Sequence, residues 1–262
     1  MHYNMRIIKQ TREVGTSAGV LLPREWLNKQ VVVQLINPDS KTIRKKVLNI
    51  LIEEDLLQEV KGIYQIGSIA RKEADEHSDI DILVITKETS RIIDEENYNL
   101  TLVTEEKIKK SLKENPIYYL PMIIEAKTII NSNLIEEYKK YKLTKKGVLT
   151  YVKSTRNSIK KGKEIIELDK KLKNKKTGDS VAYSLVLRIR GAYILDSIIK
   201  SKLWNKRKLM KIINNERVYN RYQAVREDKN SNRNHVTIDD AEELIKILEG
   251  MIKRLEKWAK EK

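Results

Sequence analysis

From residue 145 onward the apolar residues recur every three or four positions and turn residues are sparse, and no other feature of this sequence constrains the fold as tightly. KGVLTYVKSTRNSIKKGKEIIELDKKL reads as one long helix, ended by the polar NKKTGD, and SVAYSLVLRIRGAYILDSIIKSKLW as a second. The apolar positions of the second are almost continuous, as in the central helix of a bundle. KRKLMKIINNE gives a short third helix. TIDDAEELIKILEGMIKRLEKWAK is amphipathic throughout, with Thr237 as its N-cap and Asp239 and Asp240 in the first turn, where the helix dipole favours negative charge. A helical bundle domain is expected over residues 145–262.

Ahead of it, helix and strand periods alternate. After the turn signal NPDSK, TIRKKVLNILIEEDLLQEV carries Ile43, Val47, Ile50 and Leu51 at helical spacing. GIYQIG, DIDILVIT and NLTLVT read as strands, TEEKIKKSLKEN as a helix, and PMIIEAKTIIN as a further apolar stretch. This predicts a mixed domain of helices and strands over residues 41–142. The first 38 residues suggest two or three short strands, with a turn between Gly15 and Gly19 and a break at Pro23. So small a unit cannot bury a core alone, and must pair with a second copy or dock elsewhere. The plain alternative is a β extension of the next domain.

Charge divides along the same boundary. Residues 1–150 hold 24 Lys and Arg against 22 Asp and Glu, whereas residues 151–262 hold 29 against 15, so the helical half carries nearly all of the net +16. Nucleotide phosphates, a nucleic acid or an acidic protein would suit that half as partner, and a lysine-biased composition that lacks Phe altogether explains it equally well. The absence of cysteine excludes a disulfide framework and any thiolate-held zinc or iron–sulfur centre. His2, His77 and His235 are too scattered for a histidine metal site. No apolar run approaches the ~20 residues of a membrane span and the opening residues lack a signal-peptide core, which predicts no membrane partner and a cytoplasmic location.

The chemistry is concentrated in GSIARKEADEHSDIDILVI, residues 67–85. Residues two apart on a strand share a face, so Asp79 and Asp81 present two carboxylates together while Ile80 points into the core. Adjacent anions need a cation. Oxygen ligands with no thiol or imidazole suit Mg²⁺ or Mn²⁺; Mg²⁺ binds through one or two carboxylates and completes its shell with water and substrate phosphate. Gly67 permits close approach of the backbone to a phosphate, and Ser68 adds a hydroxyl and an amide at the start of a helix. Phosphate on one side and metal on the other define a site for a nucleoside triphosphate. Carboxylates that merely cap a helix would need one acid and not two. In the basic half, Arg188 and Arg190 stand in the otherwise apolar SLVLRIRGAY, where one of them faces a cleft or bridges two helices. Tyr222, Arg226 and Lys229 in YNRYQAVREDKN fall along one side of a helix, from which they can close over phosphates.

GSIARKEADEHSDIDILV resembles the nucleotidyltransferase superfamily pattern: a Gly-Ser turn, a short helix opening with small and basic residues, then Ser-Asp-hydrophobic-Asp opening a strand. It is most similar to the minimal, kanamycin-nucleotidyltransferase-like branch, whose members also carry a C-terminal helical bundle, and the resemblance spans residues 41–262. It implies an α+β fold, a polymerase-β-like mixed sheet with helices. It also implies that Gly67 and Ser68 hold the β and γ phosphates of ATP or another NTP, that Asp79 and Asp81 hold the metal ions, and that Arg71 is a further phosphate contact. Lys72 stands where glycine is commoner, a departure a helix tolerates, and His77 reads as a loop residue. Two-metal transfer adds a carboxylate from a neighbouring strand. NYNLTLVTEE offers Asn99 and Thr101 at that place. Glu125, alone in an apolar stretch where an unpaired charge is costly, is either the substitute or a helix-surface residue. An enzyme with one metal and a degenerate enzyme both stay open.

VGTSAGVLLPREWLNKQVVVQL, within residues 5–36, resembles the AbrB-like swapped-hairpin family, which implies a homodimer and DNA contact through a basic face carrying Arg6, Lys9 and Arg12. The HEPN nuclease pattern is not met, because Arg226 and His235 are too far apart and Arg233 too near, and no RNase activity is expected. These readings converge on a Mg²⁺-dependent nucleotidyltransferase that passes an NMP group, AMP from ATP, to an unidentified small-molecule, protein or RNA acceptor. The alternative is a DNA-binding or antitoxin-like regulator whose transferase fold has lost its chemistry. A third reading joins the two, an antitoxin that adenylylates a partner toxin.

Overall fold

In the N-terminal arm, β1 (Arg12–Val14) and β2 (Ser17–Gly19) form a two-stranded antiparallel ribbon that turns at Gly15, whose φ of 58° suits a residue without a Cβ. The computed structural model describes residues 7, 9–33, 38–74, 78–226 and 236–261. None of residues 9–33 is buried. A single 3₁₀ turn, Arg24–Trp26, follows Pro23. Val31, Val32 and Val33 form no strand, which corrects the expectation of a third one as far as those residues go. Among the described residues no strand pairs with their backbone, and Val32 is 97% exposed. The rest of that segment, and Arg6 of the expected basic face, lie outside the described residues.

Helix α1 (Ser40–Glu53) starts at Asp39, whose carboxylate accepts the Thr42 amide at 2.7 Å. It buries Ile43, Val47, Ile50 and Leu51, the stripe that its spacing predicts. Then follow β3 (Val60–Gln65), the single turn α2 (Gly67–Ala70), β4 (Ile80–Thr86), β5 (Ile92–Glu95), β6 (Tyr98–Thr104), α3 (Glu105–Glu114), α4 (Leu120–Glu125), β7 (Lys127–Ile130) and α5 (Ser132–Lys139). The five strands from β3 to β7 make one mixed sheet in the order β5-β6-β4-β3-β7, in which only β4 and β6 run parallel.

The strand period of two sorts β4 between two cores. Ile80, Ile82 and Val84 pack with α1 on one face, while Leu83 and Ile85 pack with Ile108, Leu112, Leu120, Ile123 and Ile135 on the other. Each such aliphatic side chain, buried fully, contributes about 1.5–3 kcal/mol. Asp81 continues the second row to the end of the strand. The apolar stretch PMIIEAKTIIN divides into α4 and β7, the break falling at Ala126.

The remaining chain is helical: α6 (Lys145–Lys171), α7 (Asp179–Ile199), α8 (Lys206–Ile213), α9 (Glu216–Arg226) and α10 (Ile238–Glu261). A two-residue ribbon of β8 (Lys176–Thr177) and β9 (Val236–Thr237) ties the entries of α7 and α10 together. Thr237 Oγ1 accepts the Asp240 amide and Asp240 returns a carboxylate to the Thr237 amide, both at 3.2 Å, so the predicted cap is a reciprocal one. α7 is the central helix, with Val181, Leu185, Val186, Ile189 and Ala192 buried against α6 and α10. The architecture is α+β: a mixed sheet with helices, followed by a helical bundle.

Candidate active site

The chain leaves β3 at Gln65 and turns into α2 beside the end of β4. The Ile66 amide donates to the Asp81 carbonyl at 2.9 Å, Gly67 takes a φ of +74°, and a Cβ on residue 67 would lie 1.9 Å from Asp81 Oδ2. Glycine is therefore required twice, for its backbone angle and for the space that Asp81 occupies. The turn and the strand-end acid are one packed unit.

Gly67, Ser68, Arg71, Asp79, Asp81 and Arg226 all line a single cleft of about 900 Å³ between the end of the sheet and the helical bundle. Ser78, Asn99, Thr101 and Glu125 join them from the sheet side, and Arg190, Trp204, Lys206, Tyr219 and Tyr222 face them from the bundle. Another groove, of about 820 Å³ between α6 and α10, holds none of the motif residues.

Burial pushes the Asp81 carboxyl up to about 6; Asp79 and Glu125 push the same way, while Arg226 and Arg71 pull against them. A crowded, half-desolvated carboxylate pair is poor company for itself and good company for a cation. The donor set fits Mg²⁺ or Mn²⁺: oxygen atoms only, two of them from adjacent carboxylates, in a cleft with room for water and phosphate oxygens. Among the described residues no three His, Cys, Asp or Glu side chains gather into a complete protein-made cage.

Glu125 is neither on a helix surface nor open to the cleft alone. Its carboxylate is buried, with Oε1 accepting the Gly67 amide at 2.8 Å and Oε2 accepting from Arg71 Nη1 at 2.7 Å. Arg71 also donates through Nε to Glu73 at 2.9 Å and lies over the Trp204 ring, 3.9 Å from its centroid. Only 9% of its side chain is exposed. Two carboxylates thus already share the guanidinium for which the resemblance implies a phosphate contact. Glu73 reaches on to the bundle, accepting the Lys206 amide at 3.0 Å.

Lys72 needs a different account from the one its place in the sequence suggested. The helix ends at Ala70, and Lys72 has a φ of +61°, with the Lys72 amide bonded to Ile69 O and the Glu73 amide to Ser68 O. This is the left-handed residue of a Schellman stop, the position glycine fills most easily, and a lysine there costs about 0.5–1 kcal/mol.

Asn99 stands beside Asp81 in the parallel register of β4 and β6, so the position opposite the two acids holds a carboxamide. Of the two arginines in α7, Arg190 faces the cleft, donating to the Tyr222 hydroxyl at 3.4 Å and lying 5.0 Å from the Trp204 ring centroid. Arg188 turns instead to the Tyr151 ring, at 5.9 Å. Tyr222 and Arg226 lie on the same side of α9 at the cleft, while Lys229, His77, Arg233 and His235 lie outside the described residues. Trp204 and Glu73 had no signal in the sequence; Glu125 had one, an acid alone in an apolar run.

A mixed sheet that brings a Gly-Ser turn against paired strand-end aspartates is the arrangement of a nucleotidyl-transferring enzyme class. Residues 44–174, half of the chain, match the family model of the nucleotidyltransferase domain, and the chain belongs to that family. No curated protein matches it. Two similar solved structures are a nucleotidyltransferase-like protein from Exiguobacterium sibiricum 255-15 and a spectinomycin adenyltransferase from Enterococcus faecialis crystallised with ATP and spectinomycin. The first is 15% identical over 81% of this chain and 75% of its own, with a TM-score of 0.35. The second is 16% identical over 81% of this chain and 99% of its own, with a TM-score of 0.41. No helix among the described residues is long and apolar enough to cross a membrane.

Proposed function

We propose that this chain is an active, Mg²⁺-dependent nucleotidyltransferase that moves AMP from ATP to an acceptor and releases pyrophosphate. The observation that carries this reading is the contact of Gly67 with Asp81 in a cleft whose opposite wall holds Arg190, Lys206 and Arg226. Asp79 and Asp81 would hold the metal, and Ser68 would give its amide and hydroxyl to the phosphates next to the Gly67 turn. Arg226, which already acts on Asp81 through its charge, would meet the triphosphate from the bundle. When bound, the metal offsets charge developing around the α-phosphorus. The acceptor oxygen bonds to the α-phosphorus as the bond to the β-phosphate oxygen breaks; pyrophosphate leaves and the acceptor proton passes to solvent. The same reading divides the chain into an arm over 1–38, a transferase domain over 41–142 and a bundle over 145–262, the last two paired as in the kanamycin-nucleotidyltransferase-like branch. A cytoplasmic location suits an enzyme that draws on ATP.

Incubation with labelled NTPs and Mg²⁺ tests this, comparing the protein with its Asp79→Ala, Asp81→Ala double variant. Labelling of the acceptor should fall on the order of 10²-fold or more in the variant. Equal labelling would overturn the proposal.

The arm supports a second reading. Val14, Leu21, Leu27, Val32 and Val33 are all exposed along an arm whose two-stranded ribbon is too small to be stable alone. We propose that two copies pair through these arms, AbrB-like, and that the paired arms carry Lys9 and Arg12 to DNA. Removal of residues 1–38 should convert a dimer to a monomer in sedimentation velocity; an unchanged mass would remove this reading. The regulator with a degenerate transferase domain draws its support from Asn99, and Mg-NTP turnover by the intact protein decides against it.

A further inference from the structure

We infer that Glu125 is the positioning residue of the phosphate-facing turn, and that Arg71 serves it as counter-ion and is not itself a phosphate ligand. The inference rests on the transferase reading for its consequence but on geometry for its substance. Glu125 comes from the last turn of α4, far along the chain from the motif, and its carboxylate is buried. Each of its oxygens has a different task. Oε1 takes the amide of Gly67, the residue whose left-handed turn sets where Ser68 presents its amide and hydroxyl, and Oε2 takes Arg71. A carboxyl group so buried is costly unless it is paired and hydrogen-bonded, and Arg71 supplies that partner. The same guanidinium is fixed from two other directions, by Glu73 and by the face of Trp204, and Arg190 lies near that ring as well. Glu73 then accepts the Lys206 amide at the start of α8. Turn, counter-ion and bundle wall form one chain of contacts, Gly67–Glu125–Arg71–Glu73–Lys206, that sets the width of the cleft across which substrate must be held.

This arrangement separates Glu125 from the role of third metal ligand. Each oxygen already takes one hydrogen bond, from the Gly67 amide or from Arg71, and the side chain is buried, so a metal ion would have to share an oxygen with one of these donors. Arg71 gives Nε and Nη1 to two acids, has its face covered by Trp204 and exposes only 9% of its side chain, so its remaining donors have little open surface to offer a phosphate.

The test uses the full-length protein and four variants: Glu125→Gln, Arg71→Met, the double of these, and Arg71→Lys. Three quantities are measured: affinity for Mg²⁺ with a non-hydrolysable ATP analogue, the number of Mn²⁺ ions bound with that analogue, and the hydrogen-exchange rate of the Gly67 amide. Thermal unfolding is followed in parallel. The inference expects Glu125→Gln and Arg71→Met each to weaken analogue binding about tenfold, the Mn²⁺ count to stay unchanged, and Arg71→Lys to retain most of the affinity. The double variant, which leaves neither the acid nor the base of the pair unmatched, should bind no worse than either single one and keeps the test open if a single variant fails to fold. Loss of one Mn²⁺ in Glu125→Gln would make Glu125 a ligand and overturn the inference. So would a loss of affinity in Arg71→Met with none in Glu125→Gln, which is the signature of a phosphate contact. Gly67 exchange separates this outcome from failure of the transferase reading. A protein that binds no analogue but exchanges Gly67 at least tenfold faster in Glu125→Gln or Arg71→Met keeps the clamp and loses the transferase; unchanged exchange in both loses the clamp.

Discussion

Asn99 lies directly beside Asp81 in the parallel register of β4 and β6, and its side-chain Nδ2 donates to Asp94 on the next strand. Since a carboxylate only accepts, the amide must point at Asp94, leaving Oδ1 as the atom Asn99 offers to a cation in the cleft. Asp81, Asn99 and Asp94 form one row across three strands, and the acid that two-metal chemistry would use next to Asp81 sits one strand too far out. Exchanging the two residues, Asn99→Asp with Asp94→Asn, keeps the hydrogen bond with its roles reversed and moves the carboxylate into the cleft. Mg-NTP turnover should rise on the order of tenfold or more, within the range a positioned acid or base supplies. Asn99→Asp alone should instead lose about 1 kcal/mol of stability, because it faces like charges across neighbouring strands. Steady-state turnover and urea midpoints of the three proteins check both statements.

Gly67→Ala meets two separate obstacles, a φ of +74° and an Asp81 oxygen 1.9 Å from the new Cβ. The backbone part costs about 1 kcal/mol wherever the side chain of residue 81 points. The steric part exists only while Asp81 is there. In an Asp81→Gly background the cost of Gly67→Ala should therefore fall to the backbone part, and in the wild-type background it should exceed it by at least ~1 kcal/mol. Urea unfolding of the four proteins of this cycle measures the difference, and an additive cycle would show that the turn and the acid are not packed together.

What could be read in advance was local. The four apolar stripes of the bundle and the stripe of α1 depend on spacing within one helix, and the two aspartates on spacing within one strand. The losses have a common cause in contacts that the chain makes with distant or masked signals. β5 went unread because Asp94 and Glu95, the charges that protect a sheet edge, look like a loop. α5 hid behind Asn131, which turns at φ +65° and caps the helix while its Nδ2 holds Lys61 O at 2.8 Å. The partners of Arg71, Glu125 and Trp204, went unread because they meet it only through the fold. Gly67 reads as room for a phosphate; that it also makes room for Asp81 is a contact between turn and strand that spacing cannot show.

Asp81 also makes the metal-free protein sensitive to pH. Its carboxyl is raised from 3.8 to about 6, chiefly by burial, so the folded state prefers the proton. The sign follows from linkage: the stability associated with this group is fully present below pH ~4 and is lost as pH rises through about 6. Asp81→Asn, which cannot ionise, should be more stable than wild type at pH 7.5 without metal, by about 1–2 kcal/mol. The gap should close at pH 4 and should narrow when Mn²⁺ is added to the wild type at pH 7.5. Thermal or urea midpoints at the two pH values, with and without Mn²⁺, decide the matter; a gap independent of pH would assign the stabilisation to packing instead.

Glu105 gives the opposite sign from the other end of the sheet. It is the first residue of α3, behind the Thr104 cap, and hydrogen bonds from Lys109 and Lys61 hold its carboxyl down to about 2, against a slight rise from burial. Lys61 lies on β3 and Lys109 one turn along α3, so the acid ties the helix start to the sheet and also meets the positive end of the helix dipole. Its contribution is present above pH ~4.5 and is lost as pH falls toward about 2. Because both lysines are well exposed, solvent screening limits the effect, and Glu105→Gln should lose about 0.5–1 kcal/mol at pH 7. Urea midpoints of wild type and variant should converge between pH 4.5 and pH 2.5, and added salt at pH 7 should shrink the difference as well. A difference that persists unchanged at pH 2.5 would mean that the glutamate acts through its packing and not through its charge.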